Sequence, residues 1–274
     1  MIRGRGLVRS VVARAVPVSL RGPISRQLER PRLELEHRLT RDGRRSRSLL
    51  TDCRDEFRGE RAVIIGNGPS LKDTDMSLLR NEFTFGLNRF YLATDDLGWA
   101  PTFLVCINEL VIQQVHLELA AVPSRKFFRW STRHLFPNAP RTTFLHSRTV
   151  PSFAGDVRHG LWEGATVTYV AMQLAFHMGF QTVLLVGVDH SFTTQGPAHQ
   201  VVQSTGADPD HFHPSYFGAG FRWQLPDLET SEMAYRQARR AHESAGRRIV
   251  DCTVGGQLNA FPKSELAEAL HANA

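Results

Sequence analysis

The sequence AVIIGNGPSL at residues 62–71 joins a short apolar run to a glycine-rich turn. A continuous run of Ala, Val and Ile is typical of a strand buried on both faces of a parallel sheet. The two glycines allow a tight turn, and Pro69 suits the first turn of a helix because its missing N–H needs no partner there. The stretch therefore predicts a strand that leads through a tight turn into a helix.

Similar apolar runs recur along the chain and alternate with helical patterns. Apolar residues at helical spacing occupy 167–178 and 234–245. Alternating strands and helices predict one Rossmann-like α/β domain, a doubly wound and mostly parallel sheet with helices on both faces. The predicted strands are Ala62–Gly66, Phe83–Leu87, Phe103–Ile107, Lys126–Trp130, Thr142–Leu145, Thr182–Val188 and Arg248–Asp251.

Basic residues are concentrated before this domain. Residues 1–50 contain thirteen Arg and four acidic residues, a net charge of +9, and the whole chain carries +6, so the remainder carries −3. The charge thus belongs to an arm, and no nucleic-acid partner is predicted. We expect a basic N-terminal arm at 1–54, with one helix near Ile24–Leu39 and a polar break at 42–45 (Asp-Gly-Arg-Arg), and a nucleotide-binding domain at 55–274.

The cellular setting is predicted from cysteine content and from the absence of apolar segments. The chain contains three scattered cysteines, too few for a disulfide framework or a zinc knuckle. No run of 18 apolar residues and no signal peptide is recognised. These features predict a cytoplasmic protein. The arm is either a disordered tail or a basic segment that contacts the inner face of the membrane.

The turn after the first strand is the first candidate binding site, formed by Gly66, Asn67, Gly68, Pro69 and Ser70. A helix that begins there would point free N–H groups at an anion such as a phosphate. The third glycine of the dinucleotide fingerprint is replaced by Leu71, and no P-loop sequence occurs. The alternative is a tight strand–helix turn that binds no ligand.

Polar residues also follow the other predicted strands. Asn67, Asn88, Asn108 and Asp189 each come at a strand end, where ligands bind in open parallel sheets. Asn offers a donor and an acceptor without charge, as a base or ribose requires. A second helix start contains Thr166 and Thr168, which are candidates for a second phosphate.

The segment DPDHFHPSY at 208–216 lies in a long loop after the strongest strand. Histidine is the natural general base near neutral pH, so His211, His213 and His190 are candidate catalytic residues, together with Asp189. The pair of His residues would also permit a metal, and the two Asp residues would permit Mg²⁺, but no metal site is predicted because no further ligands accompany them. The alternative for His211 is a surface loop histidine.

These motifs resemble a known family. GNGPSL, GLNRFY and CIN after three successive strands, followed by TVLLVGVD, are similar in kind and order to small bacterial CMP-sialic-acid-dependent sialyltransferases. The stretch DPDHFHPSYFGAGFRWQLPDLE resembles the 6-hydroxymethylpterin diphosphokinase MptE-like family, especially domains that accompany bacterial surface-polysaccharide synthesis. The first resemblance implies Asn67, Asn88 and Asn108 around the nucleotide and sugar, His211 as base toward an acceptor hydroxyl, and no metal.

The two relatives imply different reactions. The sialyltransferases move a sugar from CMP, whereas the pterin enzyme moves diphosphate from ATP with Mg²⁺. The tyrosine pair that the sialyltransferases have after the strong strand is replaced here by His190-Ser191-Phe192, and Tyr216 is a candidate substitute. We expect a nucleotide-dependent transferase acting on a glycan or small hydroxyl acceptor, with a CMP-sugar donor favoured over ATP. The alternatives are a diphosphokinase, the one case that needs Mg²⁺, and a non-catalytic nucleotide-sugar-binding scaffold.

Overall fold

The computed structural model describes residues 31–137, 139 and 141–272. Residues 31–39 are helical. The helices that follow are α1 (Arg41–Asp52), α2 (Thr94–Leu97), α3 (Glu109–Ala121), α4 (Val167–His177), α5 (Leu228–Ser244) and α6 (Leu266–His271). The strands are β1 (Arg61–Ile65), β2 (Phe83–Leu87), β3 (Phe103–Cys106), β4 (Arg125–Arg129), β5 (Thr142–Leu145), β6 (Ser147–Arg148), β7 (Leu161–Trp162), β8 (Thr182–Val186), β9 (Val201–Gln203), β10 (Arg222–Gln224) and β11 (Arg248–Asp251).

Seven strands form one parallel sheet in the order β11-β8-β1-β2-β3-β4-β5. The chain runs outward from β1 to β5 and then returns to place β8 on the other side of β1. The topological switch point therefore lies between β1 and β8, and ligands in such sheets bind at the carboxyl ends of the strands there. All seven predicted strands are confirmed, within one or two residues at each end.

The sheet is covered on both faces, as the alternation of strands and helices predicts. One face carries side chains such as Ile64 and Leu185, which pack in a cluster with residues of α4 and α5. The opposite face carries side chains such as Ile65 and Val186, which pack against Leu71, Leu79 and α6. The predicted fold class is thus confirmed: a doubly wound α/β sheet with helices on both faces.

The two helices predicted from apolar spacing are present as α4 and α5. Val170, Ala171, Leu174 and Ala175 of α4 are fully buried, because this helix is covered by the sheet and by α5. Helix α3 was not predicted, although Val111, Ile112, Val115 and Leu119 of this helix are buried. These positions recur at helical spacing, and the helix contains a kink at Val115, where the backbone leaves the helical conformation.

The N-terminal predictions fare differently. The polar break predicted at 42–45 is wrong, because these residues lie inside α1. The chain divides into two compact units between Arg45 and Ser46, and the second unit includes Leu50 and Cys53 in its core. The expected helix near Ile24–Leu39 is helical over 31–39, and its earlier part lies outside the described residues, as does most of the expected arm. Within the described part of the chain, no helix has the length and apolar character needed to cross a membrane.

Candidate functional site at the carboxyl ends of the strands

The register of the sheet aligns the polar strand ends. Ile65 of β1 pairs with Gly86 of β2, so Asn67 and Asn88 each lie two residues beyond the same pair. The backbone N–H of Asn88 also donates to Val105 O of β3 at 2.8 Å. Since neighbouring strands are about 4.8 Å apart, the two asparagines are placed side by side next to the switch point.

The turn at Gly66–Ser70 hydrogen bonds mainly to the end of β8. The N–H groups of Gly66 and Gly68 donate to Val186 O and Gly187 O, at 2.8 and 2.9 Å. Asp189 accepts from Ser70, from the backbone N–H at 3.1 Å and from Oγ at 2.7 Å. Pro69 begins a five-residue 3₁₀ helix instead of an α-helix. The anion at this turn is thus the Asp189 carboxylate, and phosphate binding here stays a prediction.

The glycines of the turn are required by this close approach. A Cβ built on Gly68 would lie 1.8 Å from Asp189 Oδ2, and a Cβ on Gly66 would lie 2.1 Å from Gly187 O. Real Cβ atoms do not come so near to another heavy atom, so Gly is the residue that fits at both positions. Part of the glycine signal in the sequence therefore has a structural origin.

Three buried polar atoms at this edge form no hydrogen bond of normal geometry with any described residue: Asn67 Oδ1, Asn88 Oδ1 and the hydroxyl of Tyr216. Burial raises the pKa of the Tyr216 hydroxyl, and its looser contacts with the backbone of Arg89 and the side chain of Asn88 oppose that shift. The Tyr216 hydroxyl is therefore neutral and next to Asn88. Buried polar atoms without partners are rare, and a bound ligand with O–H or N–H groups would satisfy all three.

The remaining polar candidates cap helices. Asn108 Oδ1 accepts from the N–H groups of Leu110 and Val111, at 3.0 and 3.3 Å, at the start of α3. Thr166 Oγ1 accepts from the N–H of Thr168 at 3.3 Å at the start of α4 and lies 3.3 Å from the Tyr235 hydroxyl. Caps of this kind stabilise helix starts, so these residues have a structural role.

The histidine loop is held on the same edge of the sheet. The N–H of Phe212 donates to Asn67 O at 2.8 Å, and Arg89 Nη1 donates to Ser215 O at 2.9 Å and to Tyr216 O. Farther along, Gln114 of α3 exchanges two hydrogen bonds with the backbone of Arg222. The loop after β8 thus crosses back over the ends of β1 and β2.

This docking places His211 in a buried pair with Asp208. His211 Nδ1 lies 2.8 Å from Asp208 Oδ2, and the two side chains are 11% and 3% exposed. Because a carboxylate only accepts hydrogen bonds, Nδ1 carries the proton and Nε2 is the free acceptor of the neutral ring. The ring stacks on Tyr216 with 4.0 Å between centroids. Nε2 has no hydrogen-bond partner in the described part of the chain.

The other two histidine candidates differ from His211. His213 Nδ1 accepts from the N–H of Ser215 at 3.1 Å, which is a local turn contact. His190 follows Asp189 at the end of β8 in the left-handed region, with φ of 56°, and its Nε2 lies 3.4 Å from Glu232 Oε1. The structure therefore brings His211, Tyr216, Asn67 and Asn88 together, while His190 lies toward α5 and His213 is turned to its own loop.

Three residues of the site were not predicted in their observed roles. Asp208 was considered as a possible Mg²⁺ ligand, but its Oδ2 accepts from His211 and from the N–H of Phe217. Asp210 accepts from the N–H and hydroxyl groups of Thr193 and Thr194. Arg89, which anchors the loop, was not predicted to have a role, because a single Arg carries little information in an Arg-rich chain. The three-residue spacing of Asp208 and His211 was the available signal for the pair.

No group of three or more metal-ligating side chains occurs among residues 31–137, 139 and 141–272.

The fold and these strand-end groups define a Rossmann-like α/β protein with a polar site at its switch point. The model of the 6-hydroxymethylpterin diphosphokinase MptE-like family matches residues 42–195, more than half of the chain, and the protein belongs to that family. The match includes Asn67, Asn88, Asn108, Asp189 and His190 and ends before His211. The assignment of the Asp208–His211 pair to the site is therefore based on the geometry of the structure alone.

The comparison with solved structures gives a weaker similarity. The structure of the MAf glycosyltransferase from Magnetospirillum magneticum AMB-1 aligns with 85% of this chain at 17% identity and a TM-score of 0.48. This chain covers 38% of that protein's length. The likeness is too weak to transfer a fold or an activity. A search of curated proteins gives no significant match.

Proposed function

We propose that the protein is a nucleotide-dependent transferase that moves a sugar from a CMP-sugar-type donor to a hydroxyl acceptor, in surface polysaccharide or glycoconjugate synthesis. The observation that carries the proposal is the buried Asp208–His211 pair at the switch-point edge. A carboxylate that fixes one imidazole nitrogen leaves the other as a general base near neutral pH. Membership of the MptE-like family supports a nucleotide-related transferase.

In the proposed reaction, His211 Nε2 accepts the proton of the acceptor hydroxyl as its oxygen attacks the anomeric carbon of the donor. The new C–O bond forms while the bond from the anomeric carbon to the phosphate oxygen breaks, and that electron pair leaves with the nucleotide. Asp208 stabilises the imidazolium that results. This assignment gives every proton and electron pair a destination within the site.

The donor is proposed to bind at the three buried polar atoms that form no hydrogen bond of normal geometry with the described residues. Asn67 Oδ1, Asn88 Oδ1 and the Tyr216 hydroxyl would accept from the ribose or sugar hydroxyls and from an exocyclic amine of the base. These three groups lie beside His211, whose ring stacks on Tyr216. A donor held there would bring its reacting bond near the proposed base.

Diphosphate transfer from ATP is the second candidate, because the description of the family names a diphosphokinase. The same base would serve a hydroxymethyl acceptor, and Mg²⁺ would then accompany the nucleotide. Against it, Asp208 and Asp210 direct their carboxylates to N–H and O–H donors of the protein. A carboxylate engaged in this way must give up protein contacts before it binds a cation.

The nucleotide is identified by thermal shift with CMP, CDP, UDP, GDP and ATP, each with and without Mg²⁺. A ligand present at 100 times its Kd stabilises the protein by about 2.7 kcal/mol, which is measurable. Stabilisation by cytidine nucleotides without Mg²⁺ supports glycosyl transfer, and stabilisation by ATP that requires Mg²⁺ supports the diphosphokinase. If no nucleotide stabilises the protein, the proposal is wrong.

The base is identified by two matched variants. His211→Asn retains an N–H donor for Asp208 and removes Nε2, and we expect turnover to fall roughly 10²–10⁴-fold with nucleotide binding retained. His213→Asn retains an acceptor for the N–H of Ser215 and should have turnover near wild type. Equal turnover in both variants would favour a nucleotide-binding scaffold over an enzyme.

A cytoplasmic location and membrane contact through the basic arm stay proposals. Vesicle binding of the chain with and without residues 1–30 tests the membrane contact.

A further inference from the structure

A cavity of about 500 Å³ lies between one face of α5 and the segment 258–260. This volume falls in the range of about 300–1,000 Å³ that small-molecule sites occupy. Its helical wall contains Glu232, Arg236, Arg239, Arg240 and Glu243, and its other wall contains Leu258, Asn259 and Ala260.

The two walls are fixed to each other. Arg239 Nη1 donates to Ala260 O at 3.2 Å, while its Nε donates to Glu243 Oε1 at 2.8 Å. Leu258 is 1% exposed and belongs to the main core, so the second wall is anchored in the fold. The cavity is therefore built from a helix and a segment fixed to the core, which is unlike a solvated helix face.

The charge of the cavity favours an anion. Three guanidinium groups line it against two carboxylates. Arg236 pairs with Glu232 at 2.6 Å and has a side chain that is 62% exposed. Arg240 is exposed and forms no ion pair or hydrogen bond with any described residue. The second carboxylate, Glu243, pairs with Arg239 at 2.8 Å, so the excess positive charge is carried by Arg240. The exposed guanidinium groups of Arg236 and Arg240 present planar N–H pairs that match the oxygens of a phosphate or carboxylate.

The cavity adjoins the proposed transfer site. Glu232 lines the cavity and lies 3.4 Å from His190 Nε2, at the end of β8. Two residues further along the chain, the ring of Phe192 lies 6.4 Å from the ring of His211. The N–H of Gln257, which precedes the second wall, donates to Asp189 O at 2.9 Å. The cavity thus lies on the β8–β11 side of the edge, whereas the proposed donor contacts lie on the β1–β2 side.

We infer that this cavity binds an anionic group, a phosphate or a carboxylate, carried by the second substrate of the transferase. The inference rests on the proposed function for the identity of that substrate, but the anion site itself is tested without turnover. An acceptor anchored by Arg236 and Arg240 would extend past His190 toward His211. We therefore expect the acceptor to carry a negative charge at a distance from its reacting hydroxyl.

The test measures binding of two probes at constant ionic strength, glucose 1-phosphate for the phosphate source and glucuronate for the carboxylate source. The double variant Arg236→Gln/Arg240→Gln is compared with the double variant Arg58→Gln/Arg80→Gln, which removes the same charge from exposed arginines outside the cavity. We expect at least one probe to bind wild type and the second double variant equally, and the first double variant at least tenfold more weakly. Cytidine nucleotide binding is measured in all three proteins.

The outcomes separate the two proposals. Binding of one probe alone identifies the source of the anion. If neither probe binds, or if both double variants lose binding alike, the anion site is wrong. If probes bind as expected but no nucleotide does, the anion site stands and the transferase function fails. Unchanged nucleotide affinity in the first double variant shows that its loss of probe binding is local.

Discussion

Asp208 Oδ2 lies 2.8 Å from His211 Nδ1, and the carboxylate side chain is 3% exposed. The same oxygen accepts from the N–H of Phe217 at 2.9 Å. The backbone of the loop thus holds the Asp208 carboxylate in place, and the carboxylate in turn orients the His211 ring. An imidazole oriented in this way has one nitrogen committed and one available for proton transfer. The pair is local in sequence, yet it reaches the switch point because Arg89 and Asn67 hold the loop there.

The first prediction concerns this positioning. Asp208→Asn should lower turnover at least tenfold, because an amide stabilises an imidazolium less well than a carboxylate does. Steady-state kinetics measure the turnover, and Asp73→Asn, at an exposed aspartate, is the control. Wild-type turnover in Asp208→Asn contradicts the positioning role.

The second prediction concerns Tyr216. A buried hydroxyl without a hydrogen bond of normal geometry costs roughly 1–3 kcal/mol, so Tyr216→Phe should leave the free energy of unfolding unchanged or raise it. The same variant should weaken nucleotide binding by about tenfold, the loss of one hydrogen bond. Tyr169→Phe removes a hydroxyl that donates to Gln237 Oε1 at 3.2 Å and should lower stability without affecting the nucleotide. Urea unfolding and nucleotide titration distinguish the two variants, and a destabilised Tyr216→Phe would show that its hydroxyl has a protein partner.

The third prediction concerns the turn at Gly68. In Gly68→Ala the new Cβ, 1.8 Å from the present position of Asp189 Oδ2, would push this carboxylate away from Ser70. We expect a loss of about 1–3 kcal/mol in the free energy of unfolding, since overpacking and a broken hydrogen bond act together. Gly206→Ala, where a Cβ meets no atom within 4 Å, is the control and should change little. Equal stability of the two variants would show that Asp189 moves without cost.

The fourth prediction tests where the folded unit begins. Leu50 is 1% exposed in the main core, and its carbonyl lies 2.7 Å from His177 Nε2. Leu50→Ala should lower the free energy of unfolding by about 2–5 kcal/mol, the usual effect of such a cavity. Leu117→Ala, at a side chain that is 71% exposed, should change it by less than about 0.5 kcal/mol. A small effect at Leu50 would instead support a domain that begins at Asp55.

The fifth prediction concerns acid stability. Burial lowers the pKa of His242 from 6.5 to about 4, and its Nδ1 lies 3.0 Å from Ala238 O. The unfolded chain then binds more protons than the folded protein between these two pKa values, so stability falls as pH drops through that window. By pH 5 the loss from this group should be about 2 kcal/mol relative to pH 7.5.

Urea unfolding at pH 7.5 and pH 5 measures this loss, with His242→Gln as the variant that cannot titrate. Burial also lowers the pKa of His177, so both proteins should lose some stability in acid. The difference between wild type and His242→Gln isolates the contribution of His242. If the two proteins lose stability equally, His242 is already solvated or protonated in the folded state.

The sequence alone determined the architecture, because strands buried on both faces must be continuously apolar. The runs at Ala62–Gly66 and Thr182–Val188 predict β1 and β8, and parallel strands bring their polar ends to one edge. Asn67, Asn88 and Asp189 were therefore predicted at the correct edge of the sheet. The spacing of Val111, Ile112, Val115 and Leu119 is helical and was the available signal for α3, whereas the polar and glycine-containing segment 42–45 carries no local signal for the extension of α1.

Only the tertiary structure decided what each polar residue does. Asn108 and Thr166 cap helices, and Asp189 occupies the turn that was expected to hold a phosphate. The partner of a polar atom depends on elements distant in sequence, as when the loop after β8 returns over β1 and β2. Spacing along the chain cannot encode that return, because the contacts that hold His211 at the site join residues more than a hundred positions apart.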